Sequence, residues 1–172
     1  EFALSLPLWW RVVPGKPGFQ FEESVGWVTA IGARYHLGVD GISILFVALT
    51  ALLTVISIMV SWTAIQDRVR EFMIAILFLE AGMIGVFASL DLFLFYIFWE
   101  AVLIPMFFLI AGWGHEGRRH AAIKFFIYTF AGSALMLVGL LLVGFPTGEL
   151  RISALDAGVL EPSLRTMVFW LL

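Results

Sequence analysis

The sequence predicts an all-α fold: a polytopic bundle of transmembrane helices, with four complete spans and part of a span at each end. Three observations predict it. The 172 residues are 62% hydrophobic and only 13% charged, about half the charged fraction of a soluble domain. The apolar residues fall in blocks: 41–66 and 125–148 hold no charged residue, 72–90 holds only Glu80, and 92–115 holds only Glu100. Each block matches the ~20 residues a helix needs to cross a ~30 Å hydrocarbon core. None carries the polar stripe of a soluble helix, and none alternates apolar with polar as an outer-membrane strand does.

The elements follow in order. Phe2–Trp10 reads as the last turns of an earlier span. Residues 11–38 form a long extracytoplasmic connection in which PGKPG (14–18) is turn chemistry and short strands are possible. Asp40-Gly-Ile-Ser suits a helix N-cap, and the first complete span is expected near 40–63. AIQDRVRE (64–71) is a short charged loop. The second and third spans, near 71–89 and 91–112, are joined by a minimal turn at Ser89-Leu90-Asp91 and form a tight antiparallel hairpin. GWGHEGRRH (112–120) leads to a fourth span near 119–143. Residues 144–165 are a second extracytoplasmic loop, and 166–172 begin a further span. The chain therefore reads as one membrane domain, an internal portion of a longer protein.

Basic residues set the expected orientation. Arg68, Arg70, Arg118, Arg119 and Lys124 crowd the two short loops, whereas Arg11, Lys16, Arg34, Arg151 and Arg165 are spread over two longer ones. The denser side is read as cytoplasmic. The seven Trp lie mostly near span ends, as interfacial anchors do, with Trp99 the exception. Ala81, Gly82 and Gly85, and Gly132, Ser133 and Gly139, are read as close helix contacts.

Composition also excludes. A net charge of −3 gives no reason to expect a nucleic acid. The absence of cysteine removes disulfides, thiolate metal sites, iron–sulfur ligation and cysteine nucleophiles. His36, His115 and His120 all fall in loops, so no pair of haem-ligating histidines sits within helices.

The chemistry rests on buried charge. Glu100 lies nine residues after Asp91, ~13 Å into the bilayer and near its midplane. An ionisable group there costs roughly 2.5–3.5 kcal/mol and usually faces a partner or a polar cavity. Desolvation favours the protonated form, so such a carboxyl is suited to holding and releasing a proton. The simpler reading is a neutral acid making one structural hydrogen bond. It is favoured for Glu80, which counting from the turn places at about the depth of Glu100. Tyr96, at i−4, can hydrogen-bond Glu100. Pro105 has no N–H and frees the Ala101 carbonyl beside it. Lys124, one turn inside the fourth span, is explained by snorkelling to the interface or, more sharply, as a proton entry point.

YHLGVDGIS (35–43), MIGVFASLDLFLFYIFWEAVLIPMFFLIAGWG (83–114) and KFFIYTFAGSALML (124–137) resemble the subunit M (chain 4) family of proton-translocating NADH:quinone oxidoreductase, respiratory complex I. The FWE-x-x-L-I-P-M stretch is its most specific part. The resemblance implies an antiporter-like proton-channel subunit in the membrane arm of a bacterial inner membrane or an equivalent energy-transducing membrane. Its partners would be neighbouring antiporter-like subunits and the lipid bilayer. It also implies that Glu100 belongs to the pumping machinery and pairs with a lysine on the helix beginning near Thr166. Lys124 matches the family's KFF lysine, which is not that partner, and Glu80 has no transferred role. No cofactor is expected in this chain, since NADH, flavin, iron–sulfur clusters and quinone are bound by other subunits. Two rivals stay open: a secondary Mrp-type cation/proton antiporter, and a passive membrane scaffold.

Overall fold

A computed structural model describes residues 2–13, 16, 18–147, 150–152 and 161–172. Among the described residues, helix α1 (Phe2–Arg11) leads to strands β1 (Gln20–Val28) and β2 (Ala33–Val39), then to five more helices. These are α2 (Ser43–Ala64), α3 (Val69–Ala88), α4 (Leu92–Trp113), α5 (Arg118–Thr147) and α6 (Pro162–Leu171). α2 to α5 are each long and apolar enough to cross a membrane, and only 17–28% of their most apolar windows is buried within the chain. The rest of each surface is hydrocarbon-like, with Val60, Trp62 and Phe78 among the exposed side chains. Such surface is stable only against lipid or other apolar helices. The molecule is thus the expected all-α membrane bundle, with one small hairpin added.

The helices pack in chain order, each against the next from α1 to α6 apart from the interposed hairpin. Phe46 of α2 stacks on Phe87 of α3 at 5.0 Å. Glycine allows α3 to approach α4: a Cβ on Gly82 would lie 2.7 Å from Val102 Cγ2, and one on Gly85 would fall within the Phe98 ring. Phe107 of α4 meets Phe126 of α5 edge to face at 5.8 Å. Val143 of α5 and Val168 of α6 form a small buried contact.

The helix ends show why each span starts and stops. Asp40 accepts from the Ser43 N–H at 2.7 Å, the Ile42 N–H at 3.1 Å and the Ser43 hydroxyl at 2.8 Å, which caps α2 as expected. Those bonds from Ser43, backbone first, hold the Asp40 carboxyl below the usual range against a smaller desolvation effect. At the other end Trp113 Nε1 donates to the Asp67 carbonyl at 2.9 Å, and the Arg68 guanidinium lies 5.4 Å from its ring centroid. Arg68 also pairs with Glu71. The expected fourth span near 119–143 is α5, which runs on to Thr147 because no charge precedes Glu149 and because Leu150 packs onto Gly144. α6 begins at Pro162 rather than 166, since proline suits the first helical turn. Most of PGKPG and much of 144–165 lie outside the described residues.

β1 and β2 pair antiparallel, with Ser24 opposite His36 and Gly26 opposite Arg34. The hairpin docks on the α3–α4 turn. Leu90 N–H donates to the His36 carbonyl at 2.9 Å, Ile152 N–H to Leu90 at 2.9 Å, and Leu92 N–H to Leu150 at 2.8 Å. The turn is therefore gripped from both sides by extended chain, which fixes where α4 begins.

Candidate functional site

Asp91 sets the register of α4. It is fully buried, and its carboxylate accepts from Phe93 and Leu94 N–H and from Arg34 N–H of β2, all at 3.0–3.1 Å. From that fixed start, nine residues of helix carry Glu100 to mid-span. Val102 and Phe98 face α3. Glu100, two residues from each, is turned roughly 160–200° from them, away from α3 and towards α5. The Phe107–Phe126 contact sets the register there and brings Ser133 to the level of Glu100. Trp99 and Leu103, beside Glu100, line a cavity of about 570 Å³ with Thr129 and Ser133 of α5.

The Glu100 side chain is partly buried, and its Oε1 is buried with no hydrogen-bond partner among the described residues. Tyr96 interacts with the carboxyl, as its i−4 position requires. Pro105 is buried one turn further along, and α4 continues through it. The Ala101 carbonyl therefore keeps no helical N–H. Glu100 is thus an acid with one oxygen unbonded, one neighbouring hydroxyl and a free carbonyl one residue away.

The other candidate residues do not join this cluster. Glu80 is 2% exposed. It shares a face with Phe87, two turns on, and so points to α2 at the level of buried Thr50 and Thr54. The Gly82–Val102 and Gly85–Phe98 contacts set it opposite Leu103–Ile104, about one turn (~5 Å) past Glu100. Equal depth, expected from counting outward from the turn, is therefore off by that turn, and the two acids face apart. Lys124 is exposed, on the side of α5 opposite Phe126 and nine residues from Ser133, or ~13 Å along the axis. The structure keeps it exposed and apart from Glu100.

Two polar residues escaped the sequence reading. Asp91 was visible only as a turn residue; the signal was an acid immediately before an apolar run, but its bond to Arg34 has no sequence signal. His36, expected in a wet loop, is 6% exposed, with Nε2 3.1 Å from Glu22 Oε2. The closing of the hairpin over the α3–α4 turn buries it. Among the described residues no group of three or more His, Cys, Asp or Glu could hold a metal ion.

Fold and site together define a polytopic, antiporter-like membrane protein with a mid-span carboxyl. Residues 89–172 match the NADH:quinone oxidoreductase/Mrp antiporter transmembrane family. The chain is similar to NADH-quinone oxidoreductase subunit M of Rhodobacter capsulatus, at 51% identity over 90% of this chain and 30% of that protein. Subunit M of Pseudomonas aeruginosa is 42% identical over 98% of this chain and 36% of its own length. NADH-ubiquinone oxidoreductase chain 4 of Chondrus crispus is 45% identical over 86% and 30%. Among solved structures, respiratory complex I from Thermus thermophilus with bound NADH contains a chain that matches 99% of this one, with a TM-score of 0.85 at 29% identity, and 35% of that chain is covered. A chain of the Mrp complex from Dietzia matches with the same TM-score at 20% identity, covering 99% of this chain and 19% of that one; this likeness is one of fold. The chain spans about a third of the length of the curated relatives it matches.

Proposed function

We propose that this chain is part of a proton-translocating membrane-arm subunit of NADH:quinone oxidoreductase, in which Glu100 takes up and releases protons near the bilayer midplane. One observation carries the reading: Glu100 sits mid-span with Oε1 buried and unbonded. An acid tied into a full set of hydrogen bonds is held in one protonation state, whereas an acid with an open oxygen can change state when water or a cation approaches. The cavity beside Trp99 and Leu103 is mostly apolar, and Thr129 and Ser133 bring hydroxyls to its wall where a water can be held. A proton would pass along Tyr96, Glu100 and waters held by the Thr129 and Ser133 hydroxyls. Hydrocarbon closes most of the remaining surface.

In this reading the short, arginine-rich loops face the cytoplasm and the hairpin faces the other side. The energy comes from quinone reduction in other subunits, which also hold NADH, flavin and iron–sulfur clusters. The complex sits in a bacterial inner membrane or an equivalent energy-transducing membrane, against neighbouring antiporter-like subunits. The fold-level likeness to the Mrp complex supports a second reading, a cation/proton antiporter without redox chemistry. The 42–51% identities to subunit M favour the first.

The test is Glu100→Gln and Glu100→Asp in the full-length protein within its complex. Gln keeps shape and polarity but cannot ionise. Proton pumping per NADH oxidised, measured in vesicles, should fall about tenfold or more with Gln and partly recover with Asp. Normal pumping by the Gln variant would remove the proposal. Proton flux driven by sodium or potassium, without flavin and iron–sulfur subunits copurifying, would favour the antiporter.

A further inference from the structure

At the end of α3 and α4 remote from the hairpin, a groove of about 610 Å³ runs along both helices, from Trp113 inward to Ala101 and Pro105. Twelve residues of α4 separate Trp113 from Ala101, so the groove is ~18 Å long, a little more than half of a ~30 Å hydrocarbon core. Its walls are apolar, with Ile74, Phe78, Ile104 and Phe108 prominent. Its outer end is lined by Arg68, Glu71 and Arg119, which leaves one positive charge in excess. Arg68 is anchored by Glu71 and by its stacking on Trp113. Arg119 forms no ion pair among the described residues.

A groove one leaflet deep, apolar along its length and cationic at the interface, fits an amphiphile with an anionic head. A polymethylene chain, about 4 Å across, fits along such a groove, and the arginines at its outer end match an anionic headgroup. We propose that this groove is a site for one anionic phospholipid, with its phosphate on Arg119 beside Arg68 and an acyl chain laid between α3 and α4. The inner end of that chain reaches Ala101 and Pro105. It covers the proline kink from this side. The inference rests on the membrane placement and the groove alone, so a Glu100→Gln variant that pumped normally would leave it standing.

The probe is phosphatidylglycerol against phosphatidylcholine, titrated onto the delipidated, intact complex and counted by native mass spectrometry, which also reports assembly. Wild type should retain one more phosphatidylglycerol than Arg119→Gln, whose affinity should fall about fivefold or more. Arg119→Lys should recover most of it. Ala75→Leu, which fills the groove without touching a charge, should exclude either lipid. Equal phosphatidylglycerol retention by wild type, Arg119→Gln and Ala75→Leu would overturn the proposal. So would a photo-crosslinker at Phe108 that captures a polypeptide segment rather than lipid.

Discussion

Two acids nine residues apart in one chain have opposite fates. Asp91 accepts three backbone N–H bonds at the membrane edge and is wholly satisfied. Glu100, mid-span, leaves Oε1 open. The first is fixed in place by its bonds, whereas the second keeps a free acceptor. Asp91→Ala removes a helix cap and strands the Arg34 N–H, so it should cost about 2–4 kcal/mol; thermal unfolding of the protein in bilayers measures it. Asp91→Asn should cost less, because one oxygen remains for the cap. Asp40 tests a different quantity. Its folded pKa is lowered by the Ser43 bonds, so its contribution is complete above the unfolded carboxylate pKa of ~3.9 and is lost as pH falls through the folded value. Wild type should therefore lose stability in acid below about pH 4 with a steeper slope than Asp40→Asn, and identical slopes would contradict the cap's electrostatic role. The capping role of Asp40 was legible in Asp-Gly-Ile-Ser. The grip of Asp91 on Arg34, 57 positions away in sequence, was not, because a long-range backbone contact leaves no local pattern.

At the level of elements, the spans were legible because bilayer thickness imposes a length that composition reveals directly. The register between spans was not. It depends on where glycine lets one backbone approach another, and the Gly82–Val102 and Gly85–Phe98 contacts shift the α3–α4 pairing by about a turn from a count based on the turn alone. Gly85→Ala should therefore push the helices apart at a cost of about 1–3 kcal/mol. Gly112→Ala, with open space around its position, should be close to neutral or slightly stabilising. Comparing the two by thermal unfolding separates packing from helix propensity, and equal effects would refute the close contact. Helix phase explains in the same way why Glu80 and Glu100, plausible neighbours by depth, turn to different partners: α2 for one, α5 for the other.

For the whole molecule, the chain contains an acid midway along α4, a hydroxyl beside it and a cavity lined by its neighbours Trp99 and Leu103. It does not bring its one intrahelical lysine, Lys124, within ~13 Å of that acid along the helix axis. Lys124→Gln should accordingly reduce proton pumping by less than about threefold, whereas Glu100→Gln reduces it tenfold or more; pumping assays in vesicles decide this, and equal losses would show that the two act as a pair. The central claim is that the Glu100 carboxyl gains and loses a proton in each cycle. Infrared difference spectroscopy on the intact complex, recorded between resting and turning-over states, tests it most directly. A protonated-carboxyl C=O band should change with turnover and vanish in Glu100→Gln. A carboxyl spectrum unchanged by turnover, or a changing band that survives the substitution, would contradict it.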